Sequence, residues 1–225
     1  GFSSIYSNLY HFHRPTIISE VGKLFKQELT KAHTNHRARH ITTSQLDTKG
    51  DAVSARVPLF FNMDVTISIA GVYEEMDYCY RNGIADEVLY VQKGKGKLVS
   101  NLGTLKVKSG DYIVIPRGII WQLVPEGVIK LLVIESPSPV ETPNRYRNRF
   151  GQLLEHSPFC ERDIQTPVLQ DPIDNKNDHL VKVKTSEGIQ EYTYAHHPCD
   201  VVGWDGYYFP WCFNIHNFEP IVGSI

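Results

Sequence analysis

The sequence lacks several features that would assign it to a class at once. No apolar run approaches the roughly 20 residues that a membrane-spanning helix needs. Neither sign of charge is in excess, since the formal net charge is -2, so we expect neither nucleic acid nor an anionic membrane as a partner. The four cysteines show no C-x-x-C spacing, and a chain of 225 residues can fold without disulfides. We therefore expect reduced thiols in a cytoplasmic protein.

Histidine is missing from a long central stretch, with none between His40 and His156. That stretch contains a pattern of short strands, which is clearest from 87 to 121. Apolar and polar residues alternate there in short runs, as is typical of strands with one buried face. Glycines separate the runs, as expected for tight turns: Gly94, Gly96, Gly103, Gly110 and Gly118. The pattern predicts a mainly β fold, an antiparallel sandwich or barrel.

Two spacings within this stretch resemble the motifs of the cupin family. Residues 87–94 match the end of the first motif, and residues 110–118 match the start of the second. Metal-binding cupins carry a His-x-His shortly before the Glu of the first motif and a His after the last Gly of the second. Those positions are Arg81, Gly83 and Trp121 here, and none of them offers a lone pair to a metal. The resemblance implies a degenerate cupin without its own metal site.

The N-terminal residues predict a strand that ends at Pro15. Tyr10 and Phe12 alternate with His11 and His13, so the two histidines share one face. They are either half of a metal site or a polar face beside a turn. We favour the polar face, because no third ligand stands near them in the sequence.

Residues 19–33 predict a helix, because apolar side chains recur there near a helical period. Three histidines follow at spacings that would place them on one side of a helix, a conceivable metal site. The arginines between them disfavour a cation, so we favour a solvated polar segment and read residues 44–56 as a loop. The residues involved are Val21, Leu24, Phe25 and Leu29, then His33, His36 and His40 with Arg37 and Arg39.

The β pattern begins at Pro58, and residues 65–69 alternate as a half-buried strand. The carboxylates of Glu74, Glu75 and Asp77 suggest either a site for a hard cation or an exposed loop, and we favour the loop. Strands then continue to about Ser136, with residues 128–134 closing the sheet.

Residues 137–178 are rich in proline and predict a long irregular crossing, after which strands return at 180–183 and 192–195. His196, His197, Cys199 and Asp200 have metal-ligand chemistry. Adjacent histidines point apart in an extended chain, however, so we favour a structural role for this group.

These features divide the chain into three segments. Residues 1–57 form N-terminal strands and a polar segment that pack on the cupin. Residues 58–136 form the degenerate cupin-like domain. Residues 137–225 form the crossing loop, further strands and an aromatic segment that leads toward a second cupin.

Four segments together resemble bacterial-type homogentisate 1,2-dioxygenase. Subunits of that family are longer at both ends, so we expect this chain to lack an initial segment and the C-terminal catalytic cupin. The segments are LYHFHRPT (9–16), YIVIPRGIIWQ (112–122), RYRNRFGQLLEHSPFCERDI (145–164) and DVVGWDGYYFPWCFNIHNFEPI (200–221).

The resemblance implies an enzyme of tyrosine and phenylalanine catabolism. It uses non-haem Fe(II) and O₂ to open the ring of homogentisate, giving maleylacetoacetate, with the iron held by two His and one Glu. Those ligands fall outside this chain, so no catalytic or metal residue is assigned to it, and its substrate-binding residues are unknown. The roles of five histidines stay open: His11, His13, His156, His196 and His197. The resemblance also implies a homo-oligomer, a trimer or hexamer, with a small aromatic substrate and O₂ as partners.

Two other functions are compatible with a metal-free cupin. The first is a non-catalytic protein that binds a small molecule or another protein. The second is a metal-independent sugar epimerase, which needs a histidine base facing the barrel interior. The absence of histidine between His40 and His156 argues against the epimerase.

Overall fold

The computed structural model describes residues 5–32, 35 and 37–219, and these are mainly β-strand. Helices among them are single 3₁₀ turns at Thr43–Gln45, Asn144–Tyr146, Glu161–Asp163 and Ile215–Asn217. None of these helices has the length to cross a bilayer. The strands are β1 (Ser7–His11), β2 (Ile18–Lys26), β3 (Lys49–Gly50), β4 (Val57–Phe61), β5 (Thr66–Val72), β6 (Cys79–Asn82), β7 (Asp86–Lys93), β8 (Lys95–Ser100), β9 (Gly103–Lys108), β10 (Asp111–Ile115), β11 (Ile120–Pro125), β12 (Ile129–Ser136), β13 (Ile164–Gln165), β14 (His179–Lys184), β15 (Gly188–Tyr194), β16 (Val201–Gly206) and β17 (Trp211–Asn214).

Two large sheets and one small sheet organise these strands. The first large sheet has the order β13-β17-β10-β7-β12-β5-β3, with β4 also paired to β5. The second has the order β2-β15-β14-β6-β11-β8-β9, and β1 pairs with β16 alone. All pairings are antiparallel except β3 with β5 and β6 with β14, which are parallel.

The two large sheets enclose the core, as the alternation of the sequence predicts. On β12 the buried residues Ile129, Leu131 and Val133 alternate with residues that are more exposed. They join one apolar cluster with Leu89 of the first sheet and Leu98 of the second. The prediction of a mainly β, cupin-like sandwich with long irregular loops is confirmed. The two sheets share no strand pairing in the described residues, so they form a sandwich and not a closed barrel.

The predicted helix at residues 19–33 is wrong, because β2 occupies most of it. β2 is an edge strand that pairs with β15 along Ile18 to Lys26. Its apolar side chains lie largely at the surface, and Val21 is 64% exposed. β-branched residues such as Ile18 and Val21 favour a strand once a partner strand is present.

The expected loop at 44–56 is partly buried, which corrects its description as a polar loop. After β3 the chain forms a tight turn in which Asp51 accepts hydrogen bonds from the backbone of Val53 (2.7 Å) and Ser54 (2.9 Å). Burial would raise the pKa of Asp51, but these hydrogen bonds outweigh it and lower the pKa. The turn places Arg56 between the sheets.

The structure also tests the expectations for the closing strand, the irregular segment, the acidic loop and His40. β12 lies between β7 and β5, so it does not close the sheet as expected. Residues 137–178 are irregular, as predicted, apart from two 3₁₀ turns and β13. Glu74, Glu75 and Asp77 are exposed. His40 is exposed as well, whereas His33 and His36 lie outside the described residues.

Candidate functional site

The interior of the sandwich holds a buried carboxylate at the position where cupins bind metal. Glu87, at the start of β7, is fully buried. Its Oε1 lies 2.6 Å from Nη1 of Arg56, and its Oε2 accepts a hydrogen bond from Trp121 Nε1 at 3.1 Å. The contact between Glu87 and Trp121 shows that the two cupin-like motifs meet as their spacing predicts. A guanidinium, however, occupies the place beside the carboxylate.

A second buried carboxylate completes this group. Oε1 of Glu135 accepts hydrogen bonds from Lys184 Nζ (2.6 Å) and Asn82 Nδ2 (2.8 Å), and it lies 3.5 Å from Arg56. Burial alone would raise the pKa of Glu135, but Arg56 and Lys184 outweigh it and lower the pKa. Burial likewise opposes the charge on Arg56, yet Glu87, Tyr80 and Glu135 raise its pKa above the ordinary value. Arg56 and Glu135 therefore stay charged in the interior.

Aromatic rings cover the guanidinium. Arg56 Cζ lies 5.4 Å from the ring of Tyr80 and 6.0 Å from that of Trp121, and the two rings meet edge to face. Burial raises the pKa of Tyr80 well above its ordinary value, so the phenol keeps its proton. Rings in this position favour a cation, and the cation they meet is the guanidinium.

The alternation of β6 changes which residues stand at the cupin ligand positions. Tyr80 and Asn82 face the interior, where they meet Arg56 and Glu135. Arg81 faces the opposite side of the sheet and donates to Tyr194 Oη. The assignment of Arg81 and Gly83 to those positions is therefore wrong by one residue, because a shift of one residue along a strand exchanges its two faces.

The donors in this interior do not fit an iron ion. Fe(II) needs several nitrogen or oxygen lone pairs converging on one point. Here Glu87 and Glu135 already pair with cations, and Tyr80, Trp121 and Arg56 present protons. Among the described residues no group of three or more His, Cys, Asp or Glu side chains could hold a metal ion.

A second polar cluster forms where β1 pairs with β16. This pairing brings His11 and His13 to Asp200, which is fully buried. His11 Nδ1 lies 2.6 Å from Asp200 Oδ1, and the backbone N–H of His13 donates to Oδ2 at 2.7 Å. The ring of His13 instead reaches Asp174, with Nε2 2.7 Å from Oδ1. The two polar motifs that the sequence analysis singled out thus form one cluster.

His196 belongs to this cluster, but His197 points away from it. Both ring nitrogens of His196 face carbonyl oxygens, Nε2 at 3.0 Å from Arg14 O and Nδ1 at 3.1 Å from His197 O. His197 Nδ1 accepts from the backbone of Cys199 at 3.0 Å, and its ring meets His179 edge to face. The expectation that adjacent histidines point apart is confirmed.

The four cysteines are unpaired, and His156 lies apart from both clusters. Cys79, Cys160, Cys199 and Cys212 are all free. Burial raises the pKa of the Cys212 thiol to about 12. A hydrogen bond with Cys79, together with burial, raises the pKa of Cys199 well above its ordinary value. His156 is exposed in the irregular segment.

Several residues of the two clusters carried no signal in the sequence. Arg56 stands in a polar stretch, and Glu135 and Lys184 stand on strands whose partners are far away in sequence. Tyr80 and Asn82 could have been considered, because they alternate with Arg81 and Gly83 and so occupy the opposite face of the same strand.

Comparison with known proteins places the chain in a family. A protein of Saccharolobus solfataricus with the name "Putative dioxygenase" is 38% identical over 227 residues, covering 100% of this chain and 59% of that protein. Homogentisate 1,2-dioxygenase of Bradyrhizobium diazoefficiens is 28% identical over 152 residues, covering 67% of this chain and 32% of the enzyme. A cupin-2 domain protein of Shewanella frigidimarina aligns with a TM-score of 0.33 at 20% identity, over 36% of this chain and 78% of that one.

The chain therefore spans 59% of the length of the first of these relatives and 32% of the second. Residues 52–215 match the family described as "Homogentisate 1,2-dioxygenase N-terminal". This match covers most strands of the sandwich, including those that return after the crossing, and by it the chain belongs to the N-terminal domain family of the homogentisate 1,2-dioxygenases.

Proposed function

We propose that this chain is the N-terminal and central part of a non-haem Fe(II) dioxygenase that opens the ring of homogentisate with O₂ to give maleylacetoacetate. The proposal is supported by the family match over residues 52–215 and by relatives that bear the name homogentisate 1,2-dioxygenase. In it, the iron and the catalytic residues belong to a part of the protein outside residues 1–225.

One observation supports this division of labour most directly. Glu87 stands where a cupin would coordinate metal, but Arg56 lies 2.6 Å from its Oε1. An Arg that is surrounded by carboxylates and aromatic rings holds a positive charge permanently. The guanidinium thus supplies internally the charge that a metal supplies in other cupins. This part of the protein acts as a scaffold for the catalytic part.

Oxygen uptake by the protein made from its whole reading frame tests the proposal. After loading with Fe(II), it should consume O₂ with homogentisate and release maleylacetoacetate, detected by its absorbance. Salicylate serves as the control substrate and should give no uptake. Residues 1–225 alone should give no uptake and should hold well below one iron per chain. Oxygen uptake by residues 1–225 loaded with Fe(II) would contradict the scaffold role. No uptake by the Fe(II)-loaded whole protein would contradict the proposed reaction.

Substitution of Glu87 tests whether its carboxylate has a structural role or is a ligand of the iron. In the whole protein, Glu87→Gln should leave the iron content unchanged, because the Glu87 carboxylate binds Arg56 and Trp121. Loss of iron in a variant that stays folded by circular dichroism would assign Glu87 to the metal instead.

The alternative function is a non-catalytic cupin that binds a small molecule or a protein. It predicts that the whole protein neither binds iron tightly nor consumes O₂ with any dihydroxy aromatic acid. We also propose a cytoplasmic homo-oligomer, a trimer or hexamer. Light scattering of the whole protein after size-exclusion chromatography tests this state, and a monomer would contradict it.

A further inference from the structure

A pocket of about 200 Å³ lies beside the histidine cluster, on the face of β6 and β11 that points away from the core. The lining includes the polar side chains of His11, Arg81, Tyr194 and His196, and Leu9 and Ile120 contribute an apolar wall. A site that combines convergent polar groups with an apolar wall is typical of small-molecule binding.

Arg81 carries an unneutralised charge in this pocket. Its guanidinium donates to Tyr194 Oη at 3.3 Å, and no carboxylate within the described residues forms an ion pair with it. Because Tyr194 accepts this hydrogen bond, its own O–H proton remains available to a ligand. A half-buried guanidinium with spare donors is the group that proteins use to bind carboxylates through two parallel hydrogen bonds.

The buried carboxylate behind the pocket does not neutralise Arg81. Asp200 is fully buried, with Oδ1 2.6 Å from His11 Nδ1 and with Oδ2 accepting from the backbone N–H of His13. Both oxygens of Asp200 therefore have partners other than Arg81.

His11 is fixed in orientation by this arrangement. A carboxylate only accepts, so Nδ1 is the protonated nitrogen in the contact with Asp200. Its Nε2 forms no hydrogen bond with another described residue. The buried Asp200 thus fixes the orientation of the His11 ring in the lining of the pocket, as an aspartate orients a histidine in many binding sites.

We propose that this pocket binds a small organic carboxylate, with Arg81 as the receptor of the carboxylate and the apolar wall in contact with a short carbon chain. The volume admits a ligand of a few heavy atoms. The apolar wall favours an organic acid over an inorganic oxyanion such as phosphate, which would leave that wall without a partner. The proposal does not depend on the ring-cleaving reaction.

Isothermal titration calorimetry of the 225-residue chain in chloride-free buffer tests the site, with propionate as the probe. Propionamide, which has nearly the same shape and no charge, should bind at least about tenfold more weakly, since a hydrogen bond between two charged groups is stronger than one to a neutral amide. Arg81→Gln should weaken propionate by at least a similar factor of about ten. Arg149→Gln removes the same charge from an exposed residue outside the pocket and should change the affinity less than about twofold.

Each outcome decides the proposal. Propionate binding that is saturable and lost in Arg81→Gln supports it. Equal binding of propionate and propionamide, or equal binding by wild type and Arg81→Gln, overturns it. Phosphate that binds as tightly as propionate with the same dependence on Arg81 overturns the organic-acid class. If Arg81→Gln does not fold, NMR titration of the wild type with propionate tests the site instead. The backbone amide resonances of Arg81, Gly118 and Tyr194 should then shift. Shifts that occur only in other residues would contradict the site.

Discussion

The two polar regions of this molecule differ in the surroundings of their arginines. Arg56 lies inside the sandwich, with Glu87 and Glu135 on its guanidinium and two aromatic rings over it. Arg81 lies on the other face of the same sandwich, with the hydroxyl of Tyr194 as its partner. The first arginine is paired with carboxylates and closed to ligands, whereas the second is half-buried beside a pocket and forms no ion pair with a described carboxylate.

The difference shows how one strand supplies side chains both to a closed interior and to a pocket on the opposite face of the sheet. Tyr80 and Arg81 are neighbours on β6 and therefore face opposite sides. The inward residue, Tyr80, covers the guanidinium of Arg56, which pairs with Glu87. The outward residue, Arg81, lines the pocket beside the histidine cluster. Changes at each region should thus have different consequences, which the following substitutions measure.

The largest effect is expected from Arg56→Met. It leaves Glu87 buried with no cation, and breaking one side of a buried pair typically costs about 3–5 kcal/mol. Urea denaturation followed by circular dichroism measures the loss. Adding Glu87→Leu to the same chain should restore part of the stability, because it removes the unpaired charge.

Arg81→Met is the matched control for that substitution. It removes the same charge from a residue whose recorded hydrogen bond is with a neutral hydroxyl, so the expected loss is about 1 kcal/mol or less. If Arg56→Met and Arg81→Met lower the free energy of unfolding equally, the two arginines do not differ in their contribution to stability.

Asp200→Asn should have the next largest effect. The amide cannot accept from both His11 Nδ1 and the His13 N–H, so one buried donor loses its partner at a cost of about 1–3 kcal/mol. Asp174→Asn is its control, because Asp174 is 57% exposed and its pair with His13 should contribute less than about 1 kcal/mol. Thermal unfolding of both variants at pH 7 compares them.

Glu135→Gln should change how the free energy of unfolding depends on pH in the acid range. Arg56 and Lys184 lower the pKa of Glu135 in the folded protein despite its burial. The carboxylate therefore contributes stability above its unfolded pKa and loses it as the pH falls through the folded value. The wild type should exceed the variant at neutral pH and converge with it in acid. Parallel stability curves over that range would contradict the prediction.

The smallest effect is expected from His179→Gln. Burial, and then the nearby His196, lower the pKa of His179 in the folded protein. The unfolded chain therefore takes up the proton first, and stability falls as the pH drops through the unfolded value near about 6.5. The variant should lose slightly less stability than the wild type between pH 7 and 5. A steeper decline in the variant would reverse the sign and refute the assignment.

The sequence contains enough information to predict the sandwich, because the strands around Glu87 alternate strongly and their turns are marked by glycine. Gly94 and Gly110, for example, have φ values of 95° and 90°, which only glycine adopts easily. The contact of Trp121 with Glu87 also follows from the motif spacing. β2 was missed because its few apolar residues fit a helical period as well as a strand, and its partner β15 begins more than 160 residues later.

The two clusters could not be predicted in the same way. Arg56 enters the interior through a turn that Asp51 stabilises, and nothing local distinguishes it from an exposed arginine. His11 meets Asp200 only because β1 pairs with β16 in a register that shifts at His11. Such meetings depend on tertiary pairing, which a pattern within one segment does not encode.

The pairing of β1 with β16 also has a consequence for biosynthesis. Residues 7–11 leave the ribosome long before residues 201–206 exist. At roughly 5–20 residues per second, the first strand waits on the order of ten seconds or more for its partner. The contact of His11 with Asp200 can therefore form only when nearly all of the 225 residues have been made.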